Sequence, residues 1–178
     1  MHKDCERILF TEKQLKERIE EIALEVNKRY EGKNPLVVGI LKGSIIFYAD
    51  FVRHLHADAE LDFMAVSSYG SGTVSSGKLK IKKDLDRDIK GRDIIIVEDI
   101  IDSGFTMANL KALLLERGAR SVIIVTLLNK KERREHDIEP DYNCFEIGNE
   151  FVIGYGLDYD EKYRTLPYIA VLKSSVYE

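Results

Sequence analysis

The apolar positions change period along the chain, and each change marks an element. Leu15, Ile19, Ile22, Val26 and Tyr30 recur at helical spacing, which predicts an amphipathic helix that turns this stripe to the core. Thr11 and Gln14 form a capping signal at its start, after the apolar Ile8-Leu9-Phe10, and Gly32 closes it. Beyond Pro35 the pattern becomes a short continuous run, "LVVGIL" at 36–41, as in a buried strand. "SIIFYADFVRHL" then reads as a helix and "AELDFMAVSSY" as a second strand. The Gly/Ser-rich "SSYGSGTVSSGK" separates that strand from "LKIKKDL", its expected hairpin partner. "DIIIV" at 93–97 predicts a strand, followed by a helix from about Gly104 to Arg117 that Gly118 ends, and by the strand "SVIIVTLL". Short segments, "FEIGNEFVIGYGLDYD" and "LPYIAVLK", finish the chain.

Strongly apolar strands alternating with helices predict an α/β fold with a central parallel sheet covered on both faces. The 178 residues carry no internal repeat or linker, so one domain over 1–178 is expected. In such sheets ligands bind beyond the carboxyl ends of the strands. That rule directs attention to the residues after Leu41, Val97 and Leu128 and to the C-terminal turns.

Composition changes this picture little. The chain is 44% hydrophobic and 33% charged, ordinary for a globular protein, with net charge −4. An acidic balance does not favour nucleic acid or an anionic membrane as partner. The basic "NKKERRE" at 129–135 mixes in acids and reads as a solvated helical segment. No apolar run reaches the length of a membrane span, and the N-terminal residues show no secretory pattern. Cys5 and Cys144 form neither a metal spacing nor a disulfide framework. Two reduced thiols fit a cytoplasmic protein.

The chemistry concentrates in "IIIVEDIIDSGFT" at 94–106. Glu98 and Asp99 follow an apolar strand; a continued strand would point their side chains to opposite sides, whereas a turn could bring them together. Ser103, Gly104 and Thr106 lie where the next helix begins, and free N–H groups there make a phosphate site. Three carboxylates, including Asp102, would repel a bare phosphate. They suit a ligand that also offers sugar hydroxyls, which donate to carboxylates, and a magnesium-bound group. A ribose 5-phosphate bearing such a group satisfies both halves. The bland reading makes Asp102 and Ser103 a helix cap and the acids solvated turn residues. Neither a P-loop nor a dinucleotide-binding glycine pattern is present.

"VEDIIDSGFT" resembles the phosphoribosyl-diphosphate motif of purine phosphoribosyltransferases, most closely the hypoxanthine-guanine enzymes. The resemblance spans roughly residues 36–172. It implies a type I phosphoribosyltransferase fold with a mobile active-site loop at 67–80 and a small hood of terminal segments, including 145–172. In "LKGS", Lys42 and Gly43 would hold pyrophosphate after a cis peptide between Leu41 and Lys42. The residues alone read as a strand-to-helix turn with Ser44 as N-cap. Ser68 and Tyr69 would belong to a lid that keeps water from the reacting carbon. Lys130 would contact the purine 6-oxo oxygen, since an ammonium donates and cannot accept. Phe151 would stack on the base and Val152 read its edge. Asp158 would support magnesium, with Glu98 and Asp99 as further metal candidates, and Arg164 would bind pyrophosphate. Taken singly, Phe151 reads as a core aromatic, Asp158 as a turn acid and Arg164 as a surface residue. Phe105 stands at a position where only the backbone N–H is needed.

The implied activity is transfer of a 6-oxopurine to the ribose of 5-phosphoribosyl 1-diphosphate, with Mg2+ as cofactor and pyrophosphate released. Glu98 and Asp99 would hold the ribose hydroxyls, Ser103 to Thr106 the 5′-phosphate, and Asp102 would take the purine N7 proton. Family members commonly form dimers and tetramers, so a homodimer or homotetramer is expected. The alternatives are a nucleotide-sensing RNA-binding regulator on the same fold and a transferase for xanthine, uracil or adenine.

Overall fold

The computed structural model describes residues 1–56, 58–68 and 79–177. Two sheets are present among them. The larger has six strands in the order β4-β3-β2-β5-β6-β7. These are β2 (Leu36–Leu41), β3 (Glu60–Ser68), β4 (Leu79–Lys83), β5 (Asp93–Ile101), β6 (Ser121–Asn129) and β7 (Tyr142–Glu146). Every pairing is parallel except β3 with β4, whose antiparallel register sets Ser68 opposite Leu79. The smaller sheet joins β1 (Cys5–Phe10), β8 (Val152–Ile153) and β9 (Ile169–Leu172), all antiparallel. Its strands come from the N-terminal and C-terminal segments of the chain. The strand β1 has no counterpart in the hydrophobic pattern: Ile8, Leu9 and Phe10 look like a staple for the helix that follows. Their pairing with β9, far along the chain, makes them a strand.

Period-two alternation on the central strands builds two cores. Val37, Ile95, Val97, Ile123 and Val125 face helices α1 (Glu12–Arg29) and α2 (Ile45–Val52). Val38, Ile40, Ile94, Ile96 and Ile124 face α3 (Phe105–Glu116). The stripe read from α1 is buried throughout, from Leu15 to Tyr30. Its capping box forms: Gln14 N–H donates to the Thr11 hydroxyl at 3.4 Å, and Thr11 N–H donates to Gln14 Oε1 at 3.0 Å. Both cysteines are free and buried, and burial pushes the Cys144 thiol up to about 12, so it is an inert core group.

Two local expectations are corrected. Ser44 occupies the first position before α2 but caps nothing; its hydroxyl donates back to the Ile40 carbonyl at 2.6 Å. The segment 129–135 is not a solvated helix. Its only helical turn is a 3-10 turn at Lys131–Arg133, and Arg134 points inward with its side chain 10% exposed.

Candidate active site

Strand β5 does not turn at Glu98; it continues to Ile101, paired with β6 through Ile101↔Asn129. The extended backbone sends Glu98 and Asp99 to different hollows, the first of the two arrangements the sequence left open. Glu98 lines a cavity of about 110 Å³ with Asp102, Ser103, Gly104, Phe105 and Thr106. Asp99 lines a cavity of about 220 Å³ with Lys130, Phe151, Val152, Leu157 and Asp158. Ile100 borders both, so the two hollows adjoin at the carboxyl edge of the sheet.

The first hollow is built for an anion. Gly104 stands just before α3 with φ +85°, a left-handed turn that swings the chain from Asp102 into the helix. Phe105, Thr106 and Met107 of the first turn of α3 line this cavity, where helix N–H groups lack partners within the helix; the Phe105 N–H donates to the Ser103 hydroxyl at 3.4 Å. Arg134 holds the loop from behind. Its Nε donates to the Asp102 carbonyl at 3.1 Å, and its guanidinium also bonds the Ile138 carbonyl and Asn129 Oδ1. The Glu135 and His136 N–H groups donate to the Ser103 carbonyl at 2.9 and 3.1 Å. The Asp102 side chain keeps one oxygen free: Oδ2 lies 3.4 Å from Arg133 Nη1, while Oδ1 is buried with no hydrogen-bond partner. Glu98 Oε2 is likewise buried without a partner. Burial, and then the Asp99 charge, raise the Glu98 carboxyl well above the usual carboxylate range.

The second hollow is a cradle for a flat group. Phe151, Val152 and Leu157 supply apolar surface. Lys130 is buried at 6% exposure, and its Nζ donates to the Glu150 carbonyl at 2.9 Å. Burial pulls its pKa below the usual lysine value, against the opposing charge of Asp102. Leu157 was missed by the sequence reading, because a leucine between Gly156 and Asp158 carries no chemical signal of its own.

The 41–44 turn adjoins this cradle. The peptide between Leu41 and Lys42 is cis, as the resemblance implied. Gly43 packs so closely on Asp99 that a Cβ there would lie 1.6 Å from Asp99 Oδ2. Gly156, at φ +103°, would in turn place a Cβ 2.0 Å from the Gly43 carbonyl. Only glycines allow these three segments to meet. Burial pushes the Asp99 carboxyl up to about 6, opposed by the N–H of Ile100 and the charge of Arg164. Arg164 Nη1 contacts Asp158 Oδ1 at 2.9 Å and donates to the Gly156 carbonyl at 2.8 Å; its Nε is buried and unpartnered. Glu161 Oε2 bridges Lys42 Nζ and Arg164 Nη2 at 3.1 and 3.3 Å. Ser68 is the last residue of β3, while Tyr69 and most of the expected lid lie outside the described residues.

These donors also suit magnesium. Asp99 and Asp158 share one cavity, and magnesium typically takes one or two protein carboxylates and fills its shell with water and phosphate oxygens. Among the described residues no three acidic, histidine or cysteine side chains converge into a closed cage.

The two adjoining hollows lie at the carboxyl edge of the sheet, where open α/β proteins bind their ligands. The chain belongs to the phosphoribosyl transferase domain family, whose model matches residues 8–160. It is 52% identical over 177 residues to the hypoxanthine-guanine phosphoribosyltransferase of Streptococcus pneumoniae, covering 99% of this chain and 98% of that one. It is 50% identical over 178 residues to the Bacillus subtilis enzyme of the same name, covering 100% and 99%. A hypoxanthine phosphoribosyltransferase structure from Staphylococcus aureus superposes with a TM-score of 0.96 at 45% identity, covering 100% of this chain and 97% of that chain.

Proposed function

We propose that the protein is a magnesium-dependent transferase of purine salvage. It joins hypoxanthine or guanine to 5-phospho-α-D-ribose 1-diphosphate, giving IMP or GMP and diphosphate. The observation that carries this reading is the adjoining pair of cavities, an anion loop and an aromatic cradle that meet at Ile100. A phosphoribosyl group and a purine bonded to one another need that arrangement.

The α3 start from Ser103 to Thr106 takes the 5′-phosphate through N–H groups and hydroxyls. Glu98, beside it, accepts from the ribose hydroxyls; its unpartnered oxygen gains a donor there, which offsets the cost of its burial. Asp99 reaches toward the ribose from the other cavity and, with Asp158, would hold magnesium, with Glu98 as a further candidate. Bound magnesium supplies charge neutralisation for the diphosphate oxygens. Lys42, the Gly43 main chain and Arg164 bind the diphosphate, and Glu161 must yield Lys42 and Arg164 to it. Phe151 and Leu157 sandwich the base, Val152 meets its edge, and Lys130 donates to the 6-oxo oxygen.

In the reaction the purine N9 electron pair forms a bond to the anomeric carbon. The bond from that carbon to the diphosphate oxygen breaks, and its electrons leave with diphosphate. The proton on purine N7 passes to Asp102, whose buried Oδ1 has no other partner. Ser68 and Tyr69 belong to the lid in this reading and exclude water from the charged carbon. The same reading makes the protein a cytoplasmic homodimer or homotetramer; no helix among the described residues is long and apolar enough to cross a membrane.

The test is diphosphate release with hypoxanthine, guanine, xanthine, adenine and uracil, each with and without magnesium. Magnesium-dependent turnover of hypoxanthine or guanine is expected, with adenine and uracil poor. Absence of turnover with both 6-oxopurines would overturn the proposal, and preference for xanthine would redirect it.

A further inference from the structure

Phe151 is an exposed aromatic ring, 37% accessible, at the mouth of the base cradle. A phenyl ring just before the two-residue strand β8 has little to fix its plane, yet a stacking platform must present one plane to the base. Two other rings supply that constraint. Tyr177 lies nearly parallel to Phe151, with centroids 5.1 Å apart and an interplanar angle of 24°. Tyr159 meets Phe151 edge-on at 5.6 Å and 88°. Tyr159 and Tyr177 also touch each other at 6.4 Å. Neither tyrosine lines the cavity that Phe151, Lys130 and Leu157 share. Tyr177 therefore stacks on Phe151 without lining the cradle.

The segment carrying Tyr177 is anchored independently of the base. Helix α4 (Ser174–Tyr177) follows β9 directly. Lys173 N–H donates to the Asp4 carbonyl at 3.0 Å, and Lys173 Nζ donates to the Lys3 carbonyl at 2.7 Å. Val176 packs on the cluster of Cys5, Ile153, Ala170 and Leu172. Leu172 N–H donates to the Phe151 carbonyl at 2.8 Å, so the strand that leads into α4 also holds the Phe151 backbone.

We propose that Tyr177 is a positioning residue for base recognition: it backs Phe151 so that Tyr177, Phe151 and the purine form one continuous stack, with Tyr159 bracing the middle ring from its edge. This rests on the reading of Phe151 as the base platform. Parallel offset rings attract beyond their buried area, and a platform held in one orientation before binding loses less freedom when the base arrives. The benefit falls on the purine step and not on phosphoribosyl diphosphate, whose groups lie along the anion loop and the 41–44 turn.

The experiment is steady-state kinetics of Tyr177→Ala, Tyr177→Leu and Tyr177→Phe, with Phe151→Ala as control and both substrates varied. Tyr177→Ala is expected to raise the purine KM about five-fold, leaving the KM for phosphoribosyl diphosphate within about two-fold of wild type. Tyr177→Phe should behave as wild type, because the ring and not the hydroxyl makes the stack. Tyr177→Leu, which fills space without a ring face, should resemble Tyr177→Ala. Unchanged purine KM in Tyr177→Ala, or full rescue by leucine, overturns the proposal. A lower purine KM in Tyr177→Ala would also overturn it, since it would make the tyrosine an obstacle. If Phe151→Ala itself leaves the purine KM unchanged, the base-platform reading fails instead.

Discussion

Asp102 shows how little of a side chain's role its type announces. As a residue before a helix start it reads as a cap, yet no capping bond forms from its carboxylate, and Gly104 occupies the cap position of α3. One of its oxygens is buried and idle beside the anion loop, and its charge reaches Lys130 in the base cradle. It lines the first cavity, and the proposed reaction assigns it the purine N7 proton. Asp102→Asn keeps the shape and removes the basic oxygen, so kcat is expected to fall by about 10²- to 10⁴-fold. Purine and phosphoribosyl diphosphate KM values should change little; steady-state rates on both substrates check this, and full retention of kcat would remove the role. At the same scale, Glu98 and Asp99 were legible as acids at a strand end, but the sequence left open whether they separate or converge. Whether an extended strand continues or turns after Val97 depends on the β6 partner at Thr126 to Asn129, and that partner is distant in sequence.

Among the elements, the β5–α3 junction concentrates the local constraints. Gly104 adopts φ +85°, and a Cβ there would lie 2.6 Å from Ile138 Cγ2 and 2.8 Å from Arg134 Cδ. The glycine was visible as a loop signal; the wall behind it was not, because it comes from Ile138 and from Arg134, which was read as part of a solvated charged run. Arg134 is the clearest case. In sequence it is one of several basic residues, and only its three bonds to Asp102, Ile138 and Asn129 show that it fixes the loop before α3. Gly104→Ala is expected to lower unfolding free energy by at least about 1–2 kcal/mol, the cost of a left-handed L-residue. The clash adds to it, and the KM for phosphoribosyl diphosphate should rise with little change in the purine KM at saturating cosubstrate. Chemical denaturation and kinetics on the same sample separate the two effects.

Across the whole molecule, ionisable groups are spent in two opposite ways. At the amino end of β5, Asp93 accepts from Arg120 Nε at 2.9 Å and from the Ser121 hydroxyl at 2.7 Å, and the Arg120 guanidinium holds its carboxyl down at about 2 from 3.8. The native state therefore releases this proton more readily than the unfolded chain. Its stabilisation is complete above about pH 4 and lost as pH falls through about 2. Asp93→Asn should lower unfolding free energy by about 2 kcal/mol at neutral pH. In denaturant titrations that deficit should shrink toward pH 2; a constant deficit would count against the linkage. At the carboxyl end of the same strand, Glu98 and Asp99 are raised by burial, so they oppose folding as pH rises and stability there yields to ligand binding. The sequence by itself determined the alternation of strands and helices, the two-faced core and the short motifs at strand ends, because hydrophobic period and glycine placement are local physics. Only the tertiary structure decided the β1–β9 pairing, the separation of Glu98 from Asp99, the role of Arg134 and the stacking of Tyr177 on Phe151. Each joins residues far apart in the chain, and their meeting depends on which strands and helices pack together.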